Sequence, residues 1–277
     1  MIATIRSQLR SQKALGICII ILSILFFLAI FAPWLAPNDP VAVNLALKLQ
    51  PPSWNYPLGT DHLGRCNLSR LLIGARISLG FASLIFLSSL VIGLIIGTLA
   101  GYTGGWLDYI LMRICDTVMA FPNLLLVIGL VGVFGPGLSQ VVLALILVQW
   151  VYYARIFRGM VLSVKEQNYI AAAKISGSSS WKVMKKHIVP NILPPLAVMG
   201  TLEMGWAIMD LSAMSFLGLG VQPPTPEWGA MILEGKSYIR TNPELMLYPG
   251  LMIMLVVVTF NVLGEALSER FGVKRRF

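Results

Sequence analysis

The sequence predicts an all-α integral membrane protein with six transmembrane helices. Its residues are 57% hydrophobic and only 12% charged, whereas soluble domains sit near a quarter charged. Several uncharged runs reach the roughly 20 residues that cross a bilayer as a helix. Lys and Arg flank those runs instead of gathering in one patch, so the net charge of +9 reads as a topology signal and not as a nucleic-acid surface. Membrane lipid is the expected surrounding.

The first span is placed at 14–36, after a short N-terminal segment, 1–13, that carries Arg6, Arg10 and Lys13. Its uncharged run is longer than the roughly 7–15 residues of a secretory h-region, so an uncleaved helix is expected. Residues 37–75 are rich in proline and polar groups, and their prolines forbid a continuous helix. The remaining spans are placed at 77–100, 111–134, 138–158, 192–215 and 246–267, a five-helix core over 76–267. Within it lie a basic loop, 159–191, and a Pro-rich loop, 216–245; a basic tail, 268–277, follows.

Alternation then sorts the basic residues. One side receives both termini with Arg113, Arg155, Arg158, Lys165, Lys174, Lys182, Lys185 and Lys186; the other receives Lys48, Arg65, Arg70, Arg76, Lys236 and Arg240. The richer side is expected to be cytoplasmic. Arg65, Arg70 and Arg76 run against the bias. Cys18, Cys66 and Cys115 show no paired spacing and are expected to be small buried hydrophobes.

The loop 159–191 contains "YIAAAKISGSSSWKVMKKHIVPNILPP". Its alanines favour a helix over 167–175, and Gly177 stands where a left-handed residue would end it. Ser178, Ser179 and Ser180 offer N-caps for a second short helix, about 181–188, which Pro190 is expected to stop. Pro194 and Pro195 are expected in the first turn of the next span. The alanine face suits close docking by another protein. Equally, Lys182, Lys185 and Lys186 suit an amphipathic hairpin on anionic lipid.

This segment resembles the loop of ABC-importer permeases, with Ala172, Ala173, Gly177 and Pro190 in register. Ala171 stands where that family carries Glu, His187 sits at an apolar position, and Val189 replaces Leu. "LGTDHLGRCNLSRLLIGARISLG", with Cys66 at a usual Asp, is similar to the outer segment of the dipeptide, oligopeptide and nickel permeases; "MSFLGLGVQPPTPEWGAMI" and "YPGLMIMLVVVTFNVLGEAL" are similar to their last third. The resemblance implies a type I ABC-importer permease architecture in the bacterial cell membrane, as the second, shorter permease subunit, with a slight lean to nickel-type members. It also implies four partner subunits: a second permease, two ATPases that bind ATP and Mg, and an extracytoplasmic substrate-binding protein. Residues Ala171, Ala172, Ala173, Gly177, His187 and Pro190 would then form the ATPase-coupling loop.

The chain itself lacks the G-x-x-x-x-G-K-[ST] run of a phosphate-cradling loop, so no cofactor of its own is expected. In the span 192–215, Glu203 and Asp210 are seven residues apart, about two turns, and share a face. Intramembrane acids mark pathways by default; a face lining the path would favour cationic or amine-bearing cargo, while the alternative is hydrogen bonding to neighbouring helices. Met199, Met204, Met209 and Met214 recur every five residues, a spacing that rotates around a helix and suits core packing. His62 is the one candidate metal ligand, since imidazole suits nickel, although a lone His is commonly a turn residue. An ion-gradient carrier is the alternative function, but it calls for internal repeats that the chain does not display.

Overall fold

The computed structural model describes the backbone of residues 2–271, and side chains within 12–271 apart from that of Lys174. Helices α1 (Ile2–Leu35), α2 (Asn67–Thr103), α5 (Leu138–Lys165), α8 (Val189–Phe216) and α10 (Glu244–Phe271) form the bundle. Each is long and apolar enough to cross a membrane. Helices α3 (Gly105–Met119) and α4 (Asn123–Phe134) qualify only as a pair. Between them lie the shorter α6 (Asn168–Ile175), α7 (Ser180–Val183) and α9 (Trp228–Gly235).

Four sequence expectations need correction. The span expected at 111–134 is broken: α3 and α4 meet at 88°. Pro122, the N-cap of α4, has no N–H to give and forces Phe121 out of helical geometry. The segment 37–75 ends early, because α2 starts at Asn67. Pro190 does not stop the second loop helix. A π-turn over Met184–Ile188, closed by Val189 N–H to the Met184 carbonyl, runs straight into α8. Pro190 falls in the first turn of α8, where a missing N–H costs least. Pro194 and Pro195 consequently lie inside α8, past its first turn.

Helix α2 packs against α5 along three glycines spaced by four, Gly93, Gly97 and Gly101. A Cβ added at Gly93 would stand 2.4 Å from Tyr153 Cβ, and one at Gly97 would stand 2.3 Å from the Ala154 carbonyl oxygen. Backbone-to-backbone contact of this kind holds membrane helices together, because lipid supplies no hydrophobic drive between them. The pairing runs parallel, Gly93 opposite 150–154 and Gly101 opposite Arg158 and Val161. It fixes the rotation of α5. On its other side, α3 is pinned to α5 by Arg158 on Asp108 (Nη2–Oδ2, 2.7 Å) and Arg155 on Asp116 (2.7 Å).

At the end where α2 begins, α9 is bound into the bundle by buried polar contacts. Glu227 is fully buried and accepts from Ser78 Oγ (2.9 Å), Ser212 Oγ (3.4 Å) and Ala230 N–H (2.9 Å). The Trp228 indole donates to the Leu71 carbonyl at 3.2 Å. The opposite end carries α6, α7 and the π-turn.

Candidate functional site

Three places in the fold carry the residues singled out from sequence. The first is a cavity of about 600 Å³ between α5, α8 and the α3–α4 break. Glu203, Trp206, Ala207 and Asp210 line it from α8, at the spacing of one helix face. Each acid is met by a side chain from α5. Tyr153 Oη donates to Glu203 at 3.2 Å, and Gln149 Nε2 donates to Asp210 at 2.8 Å. Residues 149 and 153 are one turn apart, so antiparallel α5 and α8 make two rungs. Tyr152, Phe121 and Met119 complete the wall. The cavity-lining side chains include two acids and no base.

Sequence reasoning found both acids and missed Gln149, Tyr152, Tyr153 and Trp206. The missed signal was the glycine triplet on α2, which dictates which side of α5 is left to face α8. Of the four methionines, Met204 and Met214 are buried, Met199 packs partly buried beside Tyr153, Phe157 and Ile192, and Met209 is exposed.

The second place is the loop after α5. Helix α6 ends at Ile175, and Gly177 follows it with a φ of +79°, the left-handed conformation glycine adopts without a Cβ penalty. Ser179 caps α7, accepting from the Lys182 N–H at 3.4 Å. Ile170, Val183, Ile188 and Val161 bury a small core of their own, against which Ala173 packs. Ala171, Ala172, Gly177 and Pro190 are exposed. His187 is half-buried, its ring 6.2 Å from that of Tyr169. Ile175 and Trp181, on either side of Gly177, are 88% and 70% exposed, an apolar pair that sequence reading passed over.

The third place surrounds His62. Arg65 and Arg70, which ran against the charge bias, are each 1% exposed and ion-paired. Arg65 reaches Asp61 (2.6 Å) and Glu234 (2.6 Å), and Arg70 reaches Glu234 (2.8 Å) and Asp61 (3.4 Å). Asp61 Oδ1 also accepts the backbone N–H groups of Leu63 and Arg65. These arginines are structural partners and not topology signals. His62 stacks on Tyr238 with ring centroids 5.5 Å apart. Burial lowers its pKa below the usual imidazole value, against the pull of Asp61 and Glu234. By distance alone, Asp61, His62 and Glu234 bring ligand atoms within 4.8 Å of one another. Both carboxylates, however, are already neutralised by guanidinium groups, so a divalent ion there would meet two fixed positive charges. Cys66 is the N-cap of α2 and makes no side-chain capping bond, and all three cysteines are buried and free.

Residues 93–275 match the family described as binding-protein-dependent transport system inner membrane component, and residues 2–52 match the N-terminal transmembrane domain of oligopeptide transport permease C. The chain is 40% identical over 261 residues to a nickel transport system permease protein of Escherichia coli K12, covering 94% of each. It is 39% identical over 277 residues to a di/tripeptide transport system permease of Pseudomonas aeruginosa, covering 97% of this chain and 90% of the relative. A dipeptide transport system permease of Alkalihalophilus pseudofirmus is 38% identical over 269 residues, with 97% and 88% covered. Among solved structures, the MetNI methionine ABC transporter in inward-facing form shares the fold, with a TM-score of 0.57 at 19% identity over 73% of this chain and 96% of that one. Nothing in these matches favours an ion-gradient carrier. The chain belongs to the binding-protein-dependent inner-membrane transport components, and it is a multi-span permease subunit of an ABC importer.

Proposed function

We propose that this permease forms half of a translocation path for nickel, a metal chelate, or di- and oligopeptides, and that ATP is hydrolysed on partner subunits engaged by the loop around Gly177. The relatives named for nickel and for peptides lie within a few per cent identity of one another, so identity alone does not choose the cargo. The partners are a second permease in a heterodimer, two ATP-binding subunits holding ATP and Mg, and an extracytoplasmic substrate-binding protein. Both termini and the loop face the cytoplasm, which agrees with the crowding of Lys and Arg on that side. Segments 37–66 and 217–243 then face outward.

One observation carries the coupling assignment. The loop has its own small core under Ala173, yet keeps Ala171, Ala172, Ile175, Gly177 and Trp181 outside it. An internally held knuckle with an exposed apolar rim suits insertion into a protein groove. Ala171, in place of the family's Glu, supplies no polar contact there.

The path assignment rests on Glu203 and Asp210 sharing a cavity that no basic side chain lines. Trp206 and Phe121, at its edge, are more than half exposed, as expected of half a path awaiting the second permease.

The loop is tested by Ala172→Glu and Gly177→Pro. Ala172 is exposed, so its substitution leaves the small core alone, whereas proline cannot adopt the positive φ of Gly177. Both variants are expected to insert normally and to lose co-purification with the ATPase subunits; retained co-purification would overturn the docking role. Uptake of nickel against dipeptides in cells lacking this chain decides between the cargoes.

A further inference from the structure

From the cavity between α5 and α8 we infer that this permease holds a primary ammonium group of an organic cargo at Asp210 and Gln149, and that it does not hold a bare metal ion there. The inference rests on the path reading above and narrows its cargo.

Five observations carry it. The cavity is about 600 Å³, within the range that encloses small organic ligands and far larger than an ion needs. Its acids are stations and not a chelate: seven residues on one helix separate them by about 10 Å along the axis, and each has its own α5 partner. Among the described residues, the only group bringing three His, Cys or carboxylate ligands within 4.8 Å is Asp61, His62 and Glu234, at the other end of α2 from the loop. The lining offers neither imidazole nor thiolate, the donors nickel prefers.

The fifth observation concerns Gln149. Its Nε2 donates to Asp210 at 2.8 Å, while its Oε1 is buried with no hydrogen-bond partner. A Gln amide carries a donor and an acceptor on one rotor. The donor end faces the carboxylate. When an ammonium group reaches Asp210, turning the amide presents Oε1 to the same three-donor cation. The turn moves the amide's one unpaired end from Oε1 to Nε2, while the ammonium takes over the bond to Asp210 that Nε2 gives up. Tyr152 and Trp206 stand on the same wall, and aromatic faces favour ammonium groups. A metal ion demands several oxygens at short, fixed distances, which one carboxylate and one amide do not supply.

The test uses the assembled importer, with both permeases and both ATPases, in detergent and without its binding protein, so that only the permease pair is read. Three probes are compared: a dipeptide amide, its N-acetyl derivative, and nickel ion. Saturation-transfer NMR follows the peptides and equilibrium dialysis follows nickel. The dipeptide amide is expected to show transfer that Asp210→Asn and Gln149→Leu each reduce by about ten-fold, as loss of a charge-assisted contact implies. The N-acetyl probe is expected to give a similarly weak signal. Nickel retention is expected to be the same in wild type and Asp210→Asn. Equal transfer from the free and blocked amines, transfer indifferent to both substitutions, or nickel retention that depends on Asp210 would each overturn the inference. Uptake by cells carrying Glu203→Gln reports the path reading separately: uptake that falls while transfer stays indifferent to the amine overturns this inference alone.

Discussion

Two of the regions in which the chain shelters carboxylates treat them in opposite ways. Around His62, Asp61 and Glu234 are matched one for one by Arg65 and Arg70, all four within a connected set of ion pairs. Between α5 and α8, Glu203 and Asp210 receive tyrosine phenols and an amide, and no cation lines their cavity. The first region is electrically closed and fastens residues 58–70 to α9. The second is electrically open, its two acids lining a cavity that no basic side chain lines. Balanced burial builds structure, whereas unbalanced burial at a cavity leaves a place for a positive guest.

Breaking the closed region is expected to have the largest effect. Arg70→Ala leaves Asp61 and Glu234 with Arg65 as their one cation, and losses of about 3–5 kcal/mol are typical when a buried ion-pair set is unbalanced; thermal unfolding in detergent measures it, and a loss below 1 kcal/mol would show that the cluster is not closed. The open region should behave in the reverse sense. Glu203→Gln and Asp210→Asn keep their α5 hydrogen-bonding geometry, so stability should change by less than about 1 kcal/mol while uptake falls about ten-fold, the worth of roughly 1.4 kcal/mol at the cargo contact.

A smaller, pH-dependent effect sharpens the contrast. Burial holds the His62 pKa below its ordinary 6.5 in the folded protein. The unfolded chain therefore takes up the proton first as pH falls. Stability linked to His62 is complete above pH 6.5 and is lost as pH drops from there through the folded pKa. His62→Gln should flatten that part of the unfolding-midpoint profile. The smallest effect is expected at Arg155, whose pair with Asp116 has both side chains about half exposed; Arg155→Ala should cost no more than about 0.5 kcal/mol.

Particular residues show why some of this was legible in the sequence. Helix existence followed from run length and hydropathy, which are local sums. Glu203 and Asp210 could be assigned to one face because helical periodicity is a property of one segment. Gly177 could be assigned a left-handed turn for the same reason. Pro122 is equally local, but it sits inside an apolar run whose summed hydropathy reads as one span and hides the break between α3 and α4. At Pro190 the local rule itself failed, because a π-turn supplied a backbone register that propensity does not encode.

Sequence alone determined that the chain is an apolar helical bundle with a polar knuckle after α5 and two acids on one helix face, since each depends only on residues close together along the chain. Tertiary structure alone decided which acids are neutralised. Arg65 reaches Glu234 across 169 positions, and Gln149 reaches Asp210 across 61. Those pairings follow from how α2, α5, α8 and α9 pack, beginning with glycines that let α2 and α5 touch backbone to backbone. Charge compensation is a property of neighbours in space, and spatial neighbours exist only once the helices have packed.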